Sequence, residues 1–301
     1  MPSESWGRRP AFPTVFYLGT NHQVSDAKRH VRNIMEIKTF FSEKPIIAMI
    51  HLQALPGTPR NHLNLPRIIE QALAEARLYH DLGITALAIE NMHDVPYLNR
   101  NAGAEIIASM TAVACKLREE YDFNLGIQIL AGANKAALAV ALAAGLDFIR
   151  AEGFVFGHLA DEGYMDSDAG ELLRYRRQIG AEQIAVFTDI KKKHSAHSLT
   201  ADISIGGTAS AAEFFLSDGL IVTGSATGKE AQISDLVETR ENSDLPVLIG
   251  SGLTAENIGS YLPFADAFIV GSYFKQNGHW MNPPDRQRVE NFMRSYREAL
   301  A

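Results

Sequence analysis

From Lys44 onward, short apolar runs alternate with longer stretches in which apolar residues recur at helical spacing. Apolar runs of a few residues, bounded by Gly, Pro or polar positions, read as buried strands. Eight such runs stand out: Pro45–Ile50, Ala86–Ile89, Leu125–Leu130, Asp147–Arg150, Ile184–Thr188, Gly219–Val222, Val247–Ile249 and Ala267–Val270. Helices are predicted between them at about Pro66–Leu82, Ala104–Tyr121, Lys135–Ala144, Gly170–Ile179, Thr208–Leu216 and Glu230–Val237. Another is expected from near Ala255, where Thr254 can cap it, and a last amphipathic one at Pro284–Leu300. Gly83 and Gly145 stand where helix stops are expected.

Eight strand–helix units in succession predict a parallel sheet with helical crossovers. A span of about 260 residues suits a (β/α)8 TIM barrel, here residues 41–301. A doubly wound open sheet is the alternative, weakened because no G-x-G-x-x-G follows the first strand. Residues 1–40 differ, with Arg8, Arg9, Arg29, Arg32, several prolines and few acids. Lacking the apolar segment of a secretory signal, they read as an extension of a cytoplasmic protein. A mitochondrial transit peptide is the second reading, and Met35 offers a start for a shorter form.

Composition narrows the function classes. The 301 residues are 46% hydrophobic and 21% charged, which is ordinary for a globular domain. Acidic residues outnumber basic ones, 35 to 28, so there is no nucleic-acid footprint. No apolar run has the length of a membrane span. Cys115 is the single cysteine, so no intrachain disulfide can form.

Barrel chemistry collects where strands end and βα loops begin. The predicted strands end there in His51, in Glu90 and Asn91, in Gln128 followed by Asn134, in Arg150 and Glu152, and in Asp189 followed by Lys191 and His194. Glu90 or Asp189 suits a general base, and His51 an acid or base. Lys191 could balance a phosphate or enolate charge. A Schiff base needs a desolvated amine, and three consecutive lysines look like a solvated loop. Asn91, Gln128, Asn134, Arg150, Glu152 and His194 are candidate substrate contacts. Arg150 paired with Glu90 or Glu152 is the structural alternative. His51, Glu90, Asp189 and His194 could together hold a divalent cation, although their spacing is no metal signature. The aromatic loop after the fourth strand, with Phe154, Phe156, His158 and Tyr164, reads as a lid or as a rim segment.

The last two strands end in Gly250-Ser251-Gly252 and Gly271-Ser272, after Thr223-Gly224 on the sixth. Glycines let backbone amides approach an anion, so these seven residues are the candidate phosphate site. Backbone amides with the hydroxyls of Ser251 or Ser272 would hold the anion.

The ordered motifs resemble those of the BtpA/SgcQ family. They are Ile47-Ala-Met-Ile-His-Leu-Gln-Ala-Leu-Pro-Gly-Thr-Pro59, Glu90-Asn91 with Asp94 and Pro96, Phe148-Ile-Arg-Ala-Glu152, Asp189-Ile-Lys-Lys-Lys-His194, Thr223-Gly-Ser-Ala-Thr-Gly228, Gly250-Ser-Gly252 and Val270-Gly-Ser272. The resemblance implies a barrel of the ribulose-phosphate-binding type. The chain departs from the bacterial pattern at Leu130–Asn134, where many members carry an Arg-Asn-Asp run, and at Ala151–Gly153. Both departures fall at the expected active-site end. The expected function is an enzyme acting on a small phosphorylated metabolite by acid–base chemistry, as an isomerase, lyase or hydrolase. The rival is a non-catalytic assembly factor that keeps a ligand-binding barrel. Homo-oligomerisation stays open at this point.

Overall fold

The computed structural model describes residues 39–224 and 228–301. Most of the amino-terminal extension, Met35 and the segment Ser225 to Thr227 lie outside the described residues. In chain order the first half runs β1 (Ile46–His51), α1 (Leu65–Asp81), β2 (Ala86–Glu90), α2 (Ala104–Glu120), β3 (Asn124–Gln128), α3 (Asn134–Ala144), β4 (Phe148–Ala151), β5 (His158–Ala160), β6 (Gly163–Met165) and α4 (Ala169–Gln178). The second half runs β7 (Ala185–Ile190), β8 (Ser195–Ala196), α5 (Ile205–Phe214), β9 (Gly219–Val222), α6 (Ile233–Glu241), β10 (Val247–Ile249), α7 (Ile258–Tyr261), β11 (Ala267–Val270) and α8 (Arg286–Leu300). Eight parallel strands close in the order β1-β11-β10-β9-β7-β4-β3-β2, a (β/α)8 TIM barrel.

Strand alternation sorts the side chains into two cores. Ile47, Met49, Ala88, Phe148, Phe187, Ile221, Leu248 and Ile269 fill the barrel. Their sequence neighbours, such as Ala48, Ile89, Val186 and Ile249, pack outward against the helices. Two interior positions must be empty for the aromatics to fit. A Cβ on Gly126 would stand 2.0 Å from the Phe148 ring, and one on Gly219 2.9 Å from Phe187. Below these rings Phe40 and Phe41 close the amino-terminal mouth, with Phe41 5.4 Å from Phe187 and Phe40 6.2 Å from Phe148 between centroids. Among the described residues, the barrel therefore opens at its carboxyl end.

Local chemistry sets several element boundaries. Asn64 Oδ1 accepts from the Arg67 amide at 3.1 Å, and Ser204 Oγ from the Gly207 amide at 3.1 Å, so α1 and α5 begin there. Gly145, at φ 65°, takes the left-handed position that ends α3. The helix expected from Ala255 is much shorter. Residues 255 to 257 form a turn before the four-residue α7. Thr254 Oγ1 does accept from the Glu256 and Asn257 amides, at 3.2 and 3.3 Å.

The loops after β4 and β7 hold order that periodicity did not reveal. They meet as a three-stranded antiparallel sheet, β6-β5-β8, on the barrel rim. Its strands are two or three residues each, too short for a sequence pattern to show.

Candidate functional site

A cavity of about 470 Å³ occupies the carboxyl end of the barrel. Parallel register sets its first row of groups. His51 pairs with Glu90 across β1 and β2, and Glu90 with Gln128 across β2 and β3. His51 Nδ1 lies 3.1 Å from the Trp280 carbonyl oxygen, which can only accept, so Nδ1 carries the proton. Nε2 then presents a lone pair 3.7 Å from Glu90 Oε2. Burial and the Lys275 charge hold the His51 pKa well below the ordinary imidazole value, against the Trp280 hydrogen bond. Burial also raises the Glu90 pKa, although Arg150 and Lys193 oppose it. A neutral imidazole beside a carboxyl group with raised proton affinity is a pair able to exchange a proton with a ligand.

Arg150 crosses the next part of the site. Its Nε and Nη2 bind Asp189 Oδ2 and Oδ1 at 2.9 and 2.7 Å, a bidentate pair buried on both sides. Burial disfavours the Arg150 charge, but Asp189 together with Glu90 and Glu152 raises its pKa further. A side chain at Gly250 would close on Arg150, with its Cβ 3.3 Å from Nη2. Lys192 is buried against Glu152, Nζ to Oε1 at 3.2 Å. Glu152 Oε2 and Gln128 Oε1 are buried acceptors with no donor among the described residues. Both residues line the cavity, so a ligand carrying hydroxyl or amino hydrogens would satisfy them.

The opposite wall is backbone. Gly250 to Thr254 and Gly271 to Tyr273 line the cavity together. Gly252 has φ 76°, which favours glycine. After Gly271 a short 3-10 turn, Ser272–Phe274, begins, and the first amides of such a turn lack an intrahelical acceptor. Arg288, from the first turn of α8, reaches this wall. Its Nε donates to the Tyr273 carbonyl at 2.6 Å, and its guanidinium stacks 4.3 Å from the Tyr273 ring. The Nη atoms have no protein acceptor among the described residues, so they are available to an anion.

Not every residue expected at the site faces it. His51, Glu90, Gln128, Arg150, Glu152, His194, Gly250, Ser251, Gly252, Gly271 and Ser272 line the cavity. Lys191 does not: its φ of 47° breaks the strand alternation just after β7, and its Nζ turns out to the Thr200 carbonyl at 3.2 Å. Lys192 and Lys193 turn inward instead, so this stretch is not the solvated loop that three consecutive lysines suggested. Asp189 is engaged by Arg150 and does not line the main cavity, so its reading as an available base is corrected. The pairing of Arg150 with Glu90 or Glu152 is likewise replaced by the pair with Asp189.

Several other expected ligand contacts act on the protein itself. Asn91 Nδ2 donates to Asp94 at 2.8 Å, and its Oδ1 accepts from the Leu130 amide at 2.8 Å, fixing two loops. Asn134 donates to the Glu152 carbonyl at 2.8 Å and to Asp168, so it places Glu152. Thr223 Oγ1 accepts from the Lys193 amide at 3.3 Å. Gly224 N donates to Ser251 Oγ at 3.0 Å, and that hydroxyl donates to the Lys229 carbonyl at 3.2 Å. The Ser251 hydroxyl is thus committed to the loop rather than to an anion. Among the described residues no three His, Cys, Asp or Glu side chains gather as a metal site.

Lys192, Lys193, Tyr97, Trp280 and Arg288 line the cavity without having been singled out. Arg288 carried a usable signal, because a helix that follows a barrel strand starts near the carboxyl face. Tyr97 and Trp280 come from loops and carried none. The rim sheet contributes only Asp161 and Glu162, the turn of its β5–β6 hairpin. Of the aromatic residues expected there, Phe154 is in the core and Tyr164 is exposed.

A closed parallel barrel, stoppered below and carrying an ionisable cavity above, is the architecture of a (β/α)8 TIM barrel. Residues 42–298 match the BtpA family model, and the chain belongs to that family. It is 47% identical to an uncharacterized protein of Caenorhabditis elegans whose name includes the word mitochondrial, over 88% of this chain and 97% of that one. It is 32% identical to the photosystem I biogenesis protein BtpA of Synechocystis, over 87% and 91%. Among solved structures it is similar to thiamine phosphate pyrophosphorylase from Pyrococcus furiosus, with TM-score 0.54 and 16% identity over 87% of this chain and 99% of that one. It is also similar to 3-hexulose-6-phosphate synthase from Salmonella typhimurium, with TM-score 0.52 and 13% identity over 85% and 99%. At such identities the likeness is one of fold. Among the described residues no helix is long and apolar enough to cross a membrane.

Proposed function

We propose that this protein is an enzyme acting on a small phosphorylated metabolite. The phosphate lies against the turns at Gly250 to Thr254 and Gly271 to Tyr273, with Arg288 supplying charge. Backbone amides and one guanidinium are a chemically sufficient anion cradle. His51 Nε2 accepts a proton from the substrate, and Glu90, which holds its own proton more tightly than an ordinary carboxylate, returns one. Gln128 and Glu152 accept from substrate hydroxyls. A proton moved between neighbouring carbons or oxygens is what an isomerase or lyase requires.

The single observation that carries this reading is the content of one cavity: a glycine-built wall with Arg288 faces the His51–Glu90 pair. The names of the two similar barrels also contain phosphorylated compounds, which agrees with it. A scaffold with no ligand has no use for buried acceptors left without donors. Photosystem assembly, named for the Synechocystis relative, is no part of this proposal. Thermal denaturation against inorganic phosphate and then a panel of phosphorylated metabolites tests it, because a ligand that binds only the folded state raises Tm. Absence of any phosphate-dependent shift would sink the reading.

The arginine-bearing residues 1–40 and the mitochondrial label of the worm relative favour delivery to that organelle. Import of a fusion of these residues to a fluorescent protein decides it.

A further inference from the structure

Lys193 differs from the lysines on either side of it. Lys191 points outward to a carbonyl, and Lys192 is paired with Glu152. Lys193 lines the cavity, yet its Nζ makes no hydrogen bond or ion pair among the described residues. Its backbone is fixed by the amide bond to Thr223 Oγ1 at 3.3 Å. Arg150, Glu90, Asp189 and Glu152 surround it at electrostatic range. Asp189 is engaged by Arg150, and Glu152 by Lys192. The nearby carboxylates thus leave this ammonium without a close partner, while a guanidinium charge stands beside it. Burial first, and Arg150 next, lower its pKa to about 8. About two orders of magnitude more of this amine is neutral at pH 7 than for an ordinary lysine.

We propose that Lys193 Nζ is a nucleophile that forms an imine with an aldehyde or ketone carbonyl of the phosphorylated ligand. The proposal rests on the phosphate reading for the ligand class and narrows it to phosphorylated carbonyl compounds. The nitrogen lone pair adds to the carbonyl carbon while the π pair moves to oxygen, which takes a proton from the Glu90 carboxyl group. The carbinolamine then expels that oxygen as water after a second protonation, and the nitrogen keeps one hydrogen as a protonated imine. The sum is amine plus carbonyl plus one proton, giving iminium and water. The iminium withdraws electrons from the adjacent C–H bond, and the neutral His51 Nε2 is the base in the same cavity that can take that proton.

The experiment is reductive trapping of the whole folded chain. Glycolaldehyde phosphate and plain glycolaldehyde are each offered with cyanoborohydride near pH 7, which reduces the imine to a stable secondary amine. Intact mass and peptide mapping then locate the adduct. The expected result is one adduct, on Lys193, at a glycolaldehyde phosphate concentration at least tenfold below that needed for glycolaldehyde. Inorganic phosphate should compete, and labelling should rise with pH to a half-maximum near 8. Lys193→Arg, checked by its melting curve, should abolish the adduct, whereas Lys191→Arg should keep it.

Labelling spread over surface lysines, or none on Lys193 in a folded chain, overturns the proposal. If phosphate raises Tm while Lys193 stays unlabelled, the amine role fails and the phosphate site stands. If Lys193 is labelled equally by both aldehydes, without competition, the amine role stands and the phosphate site fails.

Discussion

The two halves of the cavity are built by different means. From β1 to β7 the strand ends present polar and charged side chains, most of them set against another: His51 beside Glu90, Arg150 on Asp189, Lys192 on Glu152. From β9 to β11 the strand ends present glycines, and backbone makes the wall. A charged half owes its geometry to pairing, so removing one partner strands the other. A backbone half owes its geometry to φ and to the absence of side chains, so adding a methyl group damages it. The first fails by subtraction and the second by addition.

The largest effect tests that contrast at Arg150. Asp189→Asn keeps the volume but leaves a buried guanidinium without its carboxylate. Breaking one side of a buried pair costs about 3–5 kcal/mol. Denaturant unfolding should show a loss of that size. A variant as stable as the parent would mean that Arg150 is hydrated or paired elsewhere, and Asp189 would return as a candidate base.

In the backbone half the matching change is Gly252→Ala. The residue sits at φ 76°, and a Cβ there would stand 2.3 Å from the Lys229 carbonyl oxygen. Left-handed strain alone costs about 1–2 kcal/mol, and the clash adds to it, so a loss of roughly 2 kcal/mol or more is expected. This position is therefore a poor place to block an anion without harming the fold. Gly271→Ala is the cleaner probe. Its φ of −115° carries no left-handed strain, and the added Cβ meets the edge of His51, 3.1 Å from Nε2, and Met49 Cβ at 3.5 Å. Phosphate binding should weaken with little loss of stability. Equal stability of the Gly252 variant and the parent would break the contrast.

A third change separates charge from backbone within the glycine wall. Arg288→Met keeps an unbranched stem over Tyr273 but removes the charge. A charge-assisted hydrogen bond contributes about 1.5–3 kcal/mol, so phosphate affinity should fall at least tenfold. Isothermal titration with inorganic phosphate reads it. Unchanged affinity would leave the anion to backbone alone.

The same contrast governs what the sequence could reveal. The eight strands were legible because each is a short apolar run closed by a helix that can bury only one face. The glycine turns were legible because glycine in two successive strand ends is a local fact. Facing was legible as far as alternation held, which is why His51, Glu90, Arg150 and Glu152 fall in the cavity. It failed at Lys191, where one residue with positive φ turned the following lysines inward. Pairing was not legible, because Arg150 and Asp189 lie 39 positions apart and the choice among Glu90, Glu152 and Asp189 is set by stagger around the barrel. Trp280 lies 229 positions from His51, and only closure brings its carbonyl to Nδ1.

The smallest expected effect concerns Glu90, and its sign is the informative part. Burial raises the Glu90 pKa above its ordinary value, so the folded state holds this proton more tightly than the unfolded state does. Such a group supports the fold fully below the unfolded pKa, near 4.5, and loses that support as pH rises through the higher folded value. Above that folded value the parent carries the cost of a buried carboxylate, partly offset by Arg150 and Lys193. Glu90→Gln has nearly the same shape and no charge. The variant should match the parent near pH 4 and exceed it by a margin that grows as pH rises through the folded pKa. Melting curves at several pH values between 4 and 8 measure the difference. The His51 imidazole, held neutral, supplies no compensating charge across the 3.7 Å contact. A variant that is less stable than the parent at pH 7 would show that His51 is protonated beside an ionised Glu90. The assignment of base to His51 and acid to Glu90 would then reverse, and the charged half of the cavity would be paired at every one of its groups except Lys193.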